Sequence, residues 1–396
     1  MSVGQDGGRV GSSLRSGTAK PRARVAIVRC RSYDPGQVAS AVGEALTLLG
    51  GLSEVVRPGQ TVLLKPNLLS AKDPDRAITT HPAVLAALVA AVRAAGASPS
   101  VGDSPGGALR GVERVWRNTG MLELSERTGV PLVNFEASGS SEKRGALRSY
   151  MIARPVLEAD VVINVPKMKT HVLTLYTGCV KNMFGAIPGF GKGRIHNVAP
   201  RPVPFARHVV DVYSLVKPAL HVMDAVVAME GDGPSGGRPR SVGAILAGTD
   251  GVAVDAVAAR MMGIAEGRVP TTRIAAERGL GAARADEIEI VGEDPASFDL
   301  EGFALPRAGL LNLIPSFIVK GLKPWIWAIP EMSEEWGCRG EACALCARSC
   351  PAGAISMVSG YPVVSRAKCV ECLCCHEVCP EHAVRVRLSW LAKRFA

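Results

Sequence analysis

The stretch Cys369-Val-Glu-Cys-Leu-Cys-Cys-His-Glu-Val-Cys-Pro380 decides how the C-terminal end of this 396-residue chain folds. Its first, fourth, seventh and eleventh residues are cysteines with the spacing C-x2-C-x2-C-x3-C-P, in which four thiolates hold a cubane iron–sulfur cluster. A second run, from Cys338 to Pro351, keeps C-x2-C-x3-C-P but has four residues in its first gap. Together the two runs predict two [4Fe–4S] clusters.

The order of the cysteines predicts which of them hold which cluster. In two-cluster ferredoxins three thiolates of one run face one cluster, and the cysteine before proline ligates the other cluster. The widened gap sets Cys338 apart from the usual spacing, and Cys374 is left over as a competitor of Cys375. The first cluster is expected to take Cys338, Cys343, Cys346 and Cys379, and the second Cys369, Cys372, Cys375 and Cys350.

Zinc and disulfide bonds are the alternatives for so many cysteines. Structural zinc sites usually pair two C-x2-C knuckles across a longer loop, which differs from these two runs. Disulfides are disfavoured because the N-terminal segment has basic residues but no apolar core of a signal peptide. The C-x3-C-x2-C spacing of radical S-adenosylmethionine enzymes does not occur in the sequence.

Composition divides the chain into four parts. Residues 1–22 are rich in glycine, serine and arginine and predict a disordered basic tail. Residues 23–305 are predicted to form an α/β domain, residues 306–332 an apolar connector containing prolines, and residues 333–396 the two-cluster ferredoxin domain. No segment has eighteen uninterrupted apolar residues, so no membrane span is expected, and a cytoplasmic location is predicted.

Short apolar runs alternate with helical patterns between residues 24 and 292. Such alternation predicts an α/β fold with a mostly parallel sheet flanked by helices. The predicted strands are Val25–Val28, Thr61–Leu64, Ser98–Val101, Asp160–Val165, Leu220–Asp224, Val242–Ala247 and Ile288–Val291. The predicted helices are Gln37–Leu49, Pro82–Ala95 and Val252–Met262.

Polar residues follow five of these strands. Ligands bind beyond the carboxyl ends of parallel strands, so these residues are expected to meet at one edge of the sheet. Each alone is typical of a solvated loop, but the whole set favours a binding site. The set comprises Lys65, Asn67, Asp103, Ser104, Lys167, Lys169, His171, Asp224, Glu230, Asp232 and Asp250.

Two glycine-rich segments, Gly178–Gly185 and Gly189–His196, contain Lys181, Asn182 and Lys192. Glycines let backbone amides approach a phosphate or carboxylate, although a glycine-rich loop without a ligand is equally consistent with the pattern. Gly231–Gly236 matches G-x-G-x-x-G literally, but Pro234 lies inside it and no helix pattern follows, so it is not a dinucleotide site.

The formal net charge is +10, from 46 basic and 36 acidic residues. A basic surface favours a small anionic molecule or an acidic electron partner. Nucleic-acid binding is the alternative, but no nucleic-acid motif supports it. The connector, with its tryptophans and lysines, is also consistent with association at a membrane surface, although packing between the domains is favoured because clusters need an apolar shell.

An ordered set of motifs resembles the domain-of-unknown-function 362 family over roughly residues 40–300. The motifs are Lys65-Pro-Asn-Leu68, Gly102-Asp-Ser104, Pro166-Lys-Met-Lys-Thr-His171, Lys181-Asn-Met-Phe-Gly185, Asp224 with Gly231-Asp-Gly-Pro-Ser235, and Asp250 with Val254-Asp-Ala256. The resemblance implies that these loops form the site and that a C-terminal two-cluster module follows, but it implies no reaction.

Three functions fit these features. The first is an oxidoreductase in which two clusters pass electrons to a small anionic substrate or cofactor, with ferredoxin, flavodoxin or a redox enzyme as the electron partner. In it Lys65, Lys167, Lys169 and Lys181 hold the anion, His171 donates a proton, and Asp103, Asp224 or Asp255 orient it or bind a metal. The predicted site also includes Asn67, Ser104 and Asn182.

The second function is an electron-carrier or scaffold subunit that performs no catalysis and docks a partner redox enzyme. The third is a lyase or sulfur-transfer enzyme that uses a cluster as a Lewis acid, which requires a cluster iron without a cysteine ligand.

Overall fold

A computed structural model describes residues 22–105, 112–189, 191–306, 328–370, 374–379, 381 and 383–390. The predicted tail, apart from residue 22, lies outside the described residues, as do residues 307–327 of the predicted connector. No helix in the described ranges is both long enough and apolar enough to cross a membrane.

A ten-stranded sheet forms the centre of the larger domain. Its strands are β1 (Ala23–Arg29), β2 (Thr61–Pro66), β3 (Ser98–Asp103), β4 (Leu132–Asn134), β7 (Val161–Val165), β8 (Lys167–His171), β9 (Leu175–Thr177), β10 (Leu220–Glu230), β11 (Arg238–Gly248) and β12 (Ile288–Gly292). A separate antiparallel hairpin consists of β5 (Ser140–Arg144) and β6 (Ser149–Ala153).

Helices pack against this sheet and follow its strands. They are α1 (Pro35–Leu48), α2 (Pro82–Ala94), α3 (Val112–Asn118), α4 (Met121–Thr128), α5 (Arg154–Glu158), α6 (Cys179–Asn182), α7 (Gly191–Val198), α8 (Pro202–Val216), α9 (Gly251–Met261) and α10 (Pro270–Glu277). Short 3₁₀ turns occupy Leu52–Glu54, Pro74–Arg76, Met183–Ala186, Ala285–Glu287 and Pro295–Ser297.

The strand order is β12-β1-β11-β10-β7-β2-β3-β4, with β8 beside β10 and β9 beside β8. The pairs β1–β12, β10–β7, β2–β7, β2–β3 and β3–β4 are parallel, which confirms the predicted mostly parallel α/β fold. β11 is antiparallel to both of its neighbours. It therefore ends at the opposite edge, where Gly248 lies beside His221 at the start of β10.

The antiparallel direction of β11 corrects the prediction that five polar strand ends meet at one edge. Asp250, which follows β11, lies at the far edge and caps α9, accepting hydrogen bonds from Val252 N at 2.9 Å and Ala253 N at 3.0 Å. Carboxylates are favoured at such a position because they satisfy amides that lack helical partners. Asp250 is thus separated from the other strand-end residues.

The sheet is buried on both faces, as its near-continuous apolar strands predict. Val62 and Leu64 of β2 belong to the core cluster that α1 and α2 cover, whereas Leu63 belongs to the cluster beneath α8. Successive residues of a strand point to opposite faces, so each strand contributes to two cores.

The C-terminal part contains two small antiparallel sheets and two short helices. β13 (Ala328–Met332) pairs with β16 (Val384–Leu388), and β14 (Ile355–Val358) pairs with β15 (Tyr361–Val364). The helices are α11 (Leu345–Arg348) and α12 (Cys374–Val378), with 3₁₀ turns at Glu334–Trp336 and Gly340–Ala342. The β13–β16 pairing places residues 328–332, expected in the connector, with this C-terminal part.

Candidate functional site

A buried ion pair joins the ends of β2 and β3. Lys65 Nζ lies 2.6 Å from Asp103 Oδ1, and the two side chains are 0% and 4% exposed. Leu68 N donates to the other carboxylate oxygen of Asp103 at 2.8 Å. Burial lowers the pKa of Lys65, and the Asp103 carboxylate opposes that effect. The pair carries no net charge, so Asp103 satisfies the ammonium that was predicted to hold an anion.

A second buried ion pair joins β8 to β10. Lys167 Nζ lies 2.8 Å from Asp224 Oδ2, and neither side chain is exposed. Tyr33 Oη donates to Asp224 Oδ1 at 2.8 Å, and His81 N donates to Asp224 Oδ2 at 2.9 Å. Burial lowers the pKa of Lys167, as it does for Lys65. The carboxylate therefore neutralises one ammonium and also accepts from three further donors, the third being Val226 N at 3.3 Å.

A chain of amide hydrogen bonds connects these strands through Asn67 and Asn182. Lys169 Nζ donates to Asn67 Oδ1 at 2.6 Å and to Ile78 O at 2.7 Å. Asn67 Nδ2 donates to Asn182 Oδ1 at 3.2 Å, and Asn182 Nδ2 donates to Lys65 O at 3.2 Å. The structure thus brings Lys65, Asn67, Lys169 and Asn182 into one buried polar network.

The segment Lys167–His171 was predicted as a loop after β7, but it forms strand β8. His171, the predicted proton donor, is 0% exposed, and its Nδ1 accepts from Leu173 N at 3.1 Å and Thr174 N at 3.2 Å. A ring that accepts at Nδ1 is neutral and carries its proton on Nε2. His171 therefore fixes the turn after β8.

Three predicted site residues lie outside this network. Ser104 Oγ contacts Glu136 Oε1, and Lys192 Nζ donates to Ser104 O at 2.7 Å. Lys181 Nζ lies 5.8 Å from the centre of the Phe205 ring of α8. The third residue, Asp255, lies within α9 and contacts α6. Ser104 still borders the site because it directly follows Asp103.

Asp255 holds the start of α6 rather than an anion or a metal. Its carboxylate accepts from Cys179 N at 2.5 Å, Val180 N at 2.9 Å and Tyr176 Oη at 3.1 Å. Burial raises the pKa of Asp255 to about 6, and these hydrogen bonds oppose the rise. The residue positions α6, the helix that carries Asn182.

The raised pKa of Asp255 predicts that the stability of the protein depends on pH. Its folded pKa of about 6 lies above the ordinary value of 3.8, so folding favours the protonated form and stability is lost as the pH rises through 6. From pH 5 to pH 7 this group should lower the free energy of unfolding by about 1 kcal/mol. Urea denaturation at both pH values measures the change. Asparagine cannot ionise, so equal pH slopes in wild type and Asp255→Asn would contradict the assignment.

Sequence reasoning missed Tyr33 and His81. Their rings stack with centroids 3.7 Å apart, beside the Lys167–Asp224 pair. Tyr33 follows β1, which runs in the same direction as β10, so extending the strand-end rule to the first strand finds it. His81 caps α2, because its Nδ1 accepts from Ala83 N at 3.1 Å. In the sequence only the following Pro82, a residue favoured at the first position of a helix, indicates this cap.

Gly185 is predicted to be required for the Lys65–Asp103 pair. A Cβ at this position would meet Asp103 Oδ1 and lie 2.8 Å from Lys65 Nζ. Because both partners are buried, Gly185→Ala should lower the free energy of unfolding by about 1–3 kcal/mol. Thermal or urea denaturation measures this loss. Gly193→Ala is the matched control, since its Cβ would have no atom within 4 Å; equal stabilities of the two variants would refute the prediction.

Four cysteines from both sequence motifs line one cavity of the C-terminal part. They are Cys338, Cys343, Cys346 and Cys379. Burial raises the pKa of Cys346 to about 11, and the thiols of the other three add to that rise. Three come from the first motif and one from the second. The cavity therefore joins cysteines of both motifs, and the crossed ligation of the first cluster stays a prediction.

Two motif cysteines have matching backbone contacts. Ala354 N donates to Cys350 Sγ at 3.2 Å, and Ala383 N donates to Cys379 Sγ at 3.3 Å, in each case from the residue four positions later. Cys350, Cys375 and Cys379 also pack in one small core with Cys346. Cys372 lies outside the described residues. In the part of the chain that the structure describes, no three metal-binding side chains converge on a single ion.

Comparison with known proteins agrees with the motifs in the larger domain. Residues 62–260 match the family described as Domain of unknown function (DUF362). The thylakoid-associated protein sll1697 of Synechocystis sp. is 34% identical over 285 residues, which cover 72% of this chain and 88% of that protein.

A solved structure with a weaker likeness is the lactate racemase apoprotein from Thermoanaerobacterium thermosaccharolyticum. The TM-score is 0.39 at 12% identity, and the match covers 58% of this chain and 54% of that one. The match therefore spans about half the length of the racemase. The family match and the identity to the Synechocystis protein establish the relationship: this chain belongs to the DUF362 family.

Proposed function

We propose that this protein is an iron–sulfur oxidoreductase, in which the C-terminal part binds two [4Fe–4S] clusters and the strand-end edge of the α/β domain binds a small molecule. The observation that carries the proposal is the cavity lined by Cys338, Cys343, Cys346 and Cys379. A ferredoxin-type cubane takes this donor set, with three cysteines of one motif and one of the other.

The donor set fits a cubane better than zinc. Four thiolates around one zinc ion lie about 3.8 Å apart, given Zn–S bonds of about 2.3 Å in a tetrahedron. In a cubane each thiolate binds a different iron, so the sulfurs lie farther apart. The four cysteines share one cavity, and the motifs that supply them have the C-x2-C-x3-C-P spacing of ferredoxins rather than the paired C-x2-C knuckles of zinc sites. The N–H donors to Cys350 and Cys379 are of the kind that tune a cluster's potential.

When bound, such clusters supply single electrons at low potential. The chain's own residues would then supply protons. Lys65 and Lys167 were predicted to hold an anion, but Asp103 and Asp224 neutralise them, so we assign them to proton supply. The burial that lowers the pKa of each lysine makes its ammonium a better acid. Asn67, Asn182 and Lys169 would position the bound molecule.

The partners are proposals of the same kind. Ferredoxin, flavodoxin or a redox enzyme would exchange electrons with the C-terminal part, and the net charge of +10 favours an acidic partner. A small molecule, anionic as first predicted, remains the proposed substrate. We keep the cytoplasm as the proposed location. The thylakoid-associated relative favours peripheral attachment to a membrane as the alternative.

A second candidate function is that of an electron carrier that docks a partner enzyme without catalysis. The observation that favours it is the near-complete burial of both ion pairs, which is also typical of a structural network. The cluster-assisted lyase has no such support. It needs an iron without a cysteine ligand, and Cys338 lines the cavity together with the other three cysteines.

Oxidation of the dithionite-reduced protein by a panel of small organic acids, ketones and nitro compounds tests the first function against the second. The visible absorbance of the clusters reports the reaction. An oxidoreductase should react rapidly with one class of compound, and Asn182→Ala should slow that reaction while leaving the iron content unchanged. A carrier would show no preference in the panel, and Asn182→Ala would react with an oxidised ferredoxin at the wild-type rate.

A further inference from the structure

The loop between β10 and β11 contacts α12, the helix that carries Cys375 of the second motif. Ser235 Oγ donates to His376 O at 3.2 Å, and the two residues are 1% and 6% exposed. Gly236 lies against the same histidine, since a Cβ there would be 2.5 Å from His376 Nε2 and 2.8 Å from its Cε1. The contact leaves no room for a larger residue at position 236.

The other side of this loop contacts strand β8. Val172 N donates to Gly233 O at 2.9 Å. A Cβ on Gly233 would meet Thr170 O and lie 2.7 Å from Thr170 Oγ1. Thr170 itself is fully buried between Lys169 and His171. The Gly231–Gly237 loop therefore joins α12 to β8, the strand that contributes Lys167 and Lys169.

The position of His376 relates this contact to one cluster. His376 directly follows Cys375, a predicted ligand of the second cluster. The cavity of the first cluster lies beside Arg339 and Glu381, whose ion pair at 3.4 Å is exposed by 54% and 37%. The cavity that would hold the first cluster is thus near solvent, whereas Cys375, a predicted ligand of the second, lies next to the residue that the loop contacts.

We infer that the Gly231–Gly237 loop, seated against His376, is the contact through which electrons pass from the second cluster to the site at β8. The inference rests on the proposed function. Cys350, Cys369, Cys372 and Cys375 would hold the second cluster, which would supply single electrons at this contact. A reduced ferredoxin or flavodoxin would supply those electrons, and the compound bound at β8 would accept them.

Gly236→Ala tests the contact because its methyl group displaces the His376 ring. We expect the iron content to stay at the wild-type value and the EPR signal of one cluster to change. Hydrogen exchange of residues 231–237 should accelerate about tenfold, which corresponds to a loss of about 1.4 kcal/mol in local stability. The reduced variant should also be reoxidised more slowly by the class of compounds that reacts rapidly with the wild-type protein.

Three further variants complete the test. The double variant Gly236→Ala, His376→Ala should restore slow hydrogen exchange at residues 231–237. The second substitution removes the side-chain atoms that the new methyl group would meet. Ser235→Ala removes one hydrogen bond and should give the same effects more weakly. Gly43→Ala, whose Cβ would have no atom within 4 Å, is the control.

The outcomes separate the inference from the function. If Gly236→Ala kept the wild-type iron content, EPR spectrum and hydrogen exchange at residues 231–237, the inferred contact would be wrong. The proposed oxidoreductase function would still stand. A wild-type protein without iron would overturn the proposed function itself.

Discussion

Replacing Asp224 with asparagine is expected to lower the free energy of unfolding by about 3–5 kcal/mol, because it leaves a buried ammonium without a carboxylate. Lys167 and Asp224 are both fully buried, and their charged atoms lie 2.8 Å apart. The substituted side chain would also present an amide group to Tyr33 Oη and His81 N, which now donate to the carboxylate. Urea denaturation followed by circular dichroism measures the loss.

Two comparisons make the Asp224 prediction specific. Glu277→Gln breaks an exposed pair, with Arg273 Nη1 2.7 Å from Glu277 Oε1, and should leave the unfolding midpoint nearly unchanged. The double variant Lys167→Met, Asp224→Asn removes both charges while keeping an amide oxygen as an acceptor, and it should recover most of the stability. A loss below about 1 kcal/mol for Asp224→Asn, the range of surface ion pairs, would contradict a buried pair.

Replacing Cys379 with alanine is expected to remove about half of the iron. Cys379 lies in the second motif, yet it lines the cavity of the first motif's cysteines. The variant should therefore lose the first cluster and keep the second, leaving about four irons per chain and an EPR spectrum without interacting clusters. Iron and sulfide analysis of the anaerobically purified protein measures the change.

Cys350→Ala is the mirror experiment and should remove the other cluster. Cys30→Ala is the control, because Cys30 is buried at the end of β1 outside both motifs and donates to Ser32 O at 3.4 Å. It should retain the wild-type iron. If Cys379→Ala retained all its iron, or Cys350→Ala lost the same cluster, the crossed ligation would be wrong.

The architecture of the larger domain could be predicted because its strands carry a strong local signal. All seven predicted strands exist, and the match of the family over residues 62–260 confirms the resemblance. Strand direction could not be predicted for β11, because its apolar run resembles those of the parallel strands elsewhere in the sheet. A hairpin joins it to β10, and that long-range pairing places Asp250 at the far edge.

The site residues were predicted by position but not by role. The strand-end rule selected Lys65, Asp103, Lys167 and Asp224, which the structure joins in two ion pairs. Sequence alone does not reveal that two charges at neighbouring strand ends neutralise each other, because this depends on which strands are adjacent. Tyr33 and His81 were missed for the same reason, since their contacts with Asp224 span 191 and 143 residues of sequence.

Iron and acid-labile sulfide analysis of the anaerobically purified wild-type protein, with EPR of its dithionite-reduced form, tests the central claim most directly. We expect about eight irons and eight sulfides per chain and the spectrum of two interacting [4Fe–4S] clusters. Zinc in place of iron, or a reduced protein without a cluster signal, would contradict the proposal that this chain carries electrons.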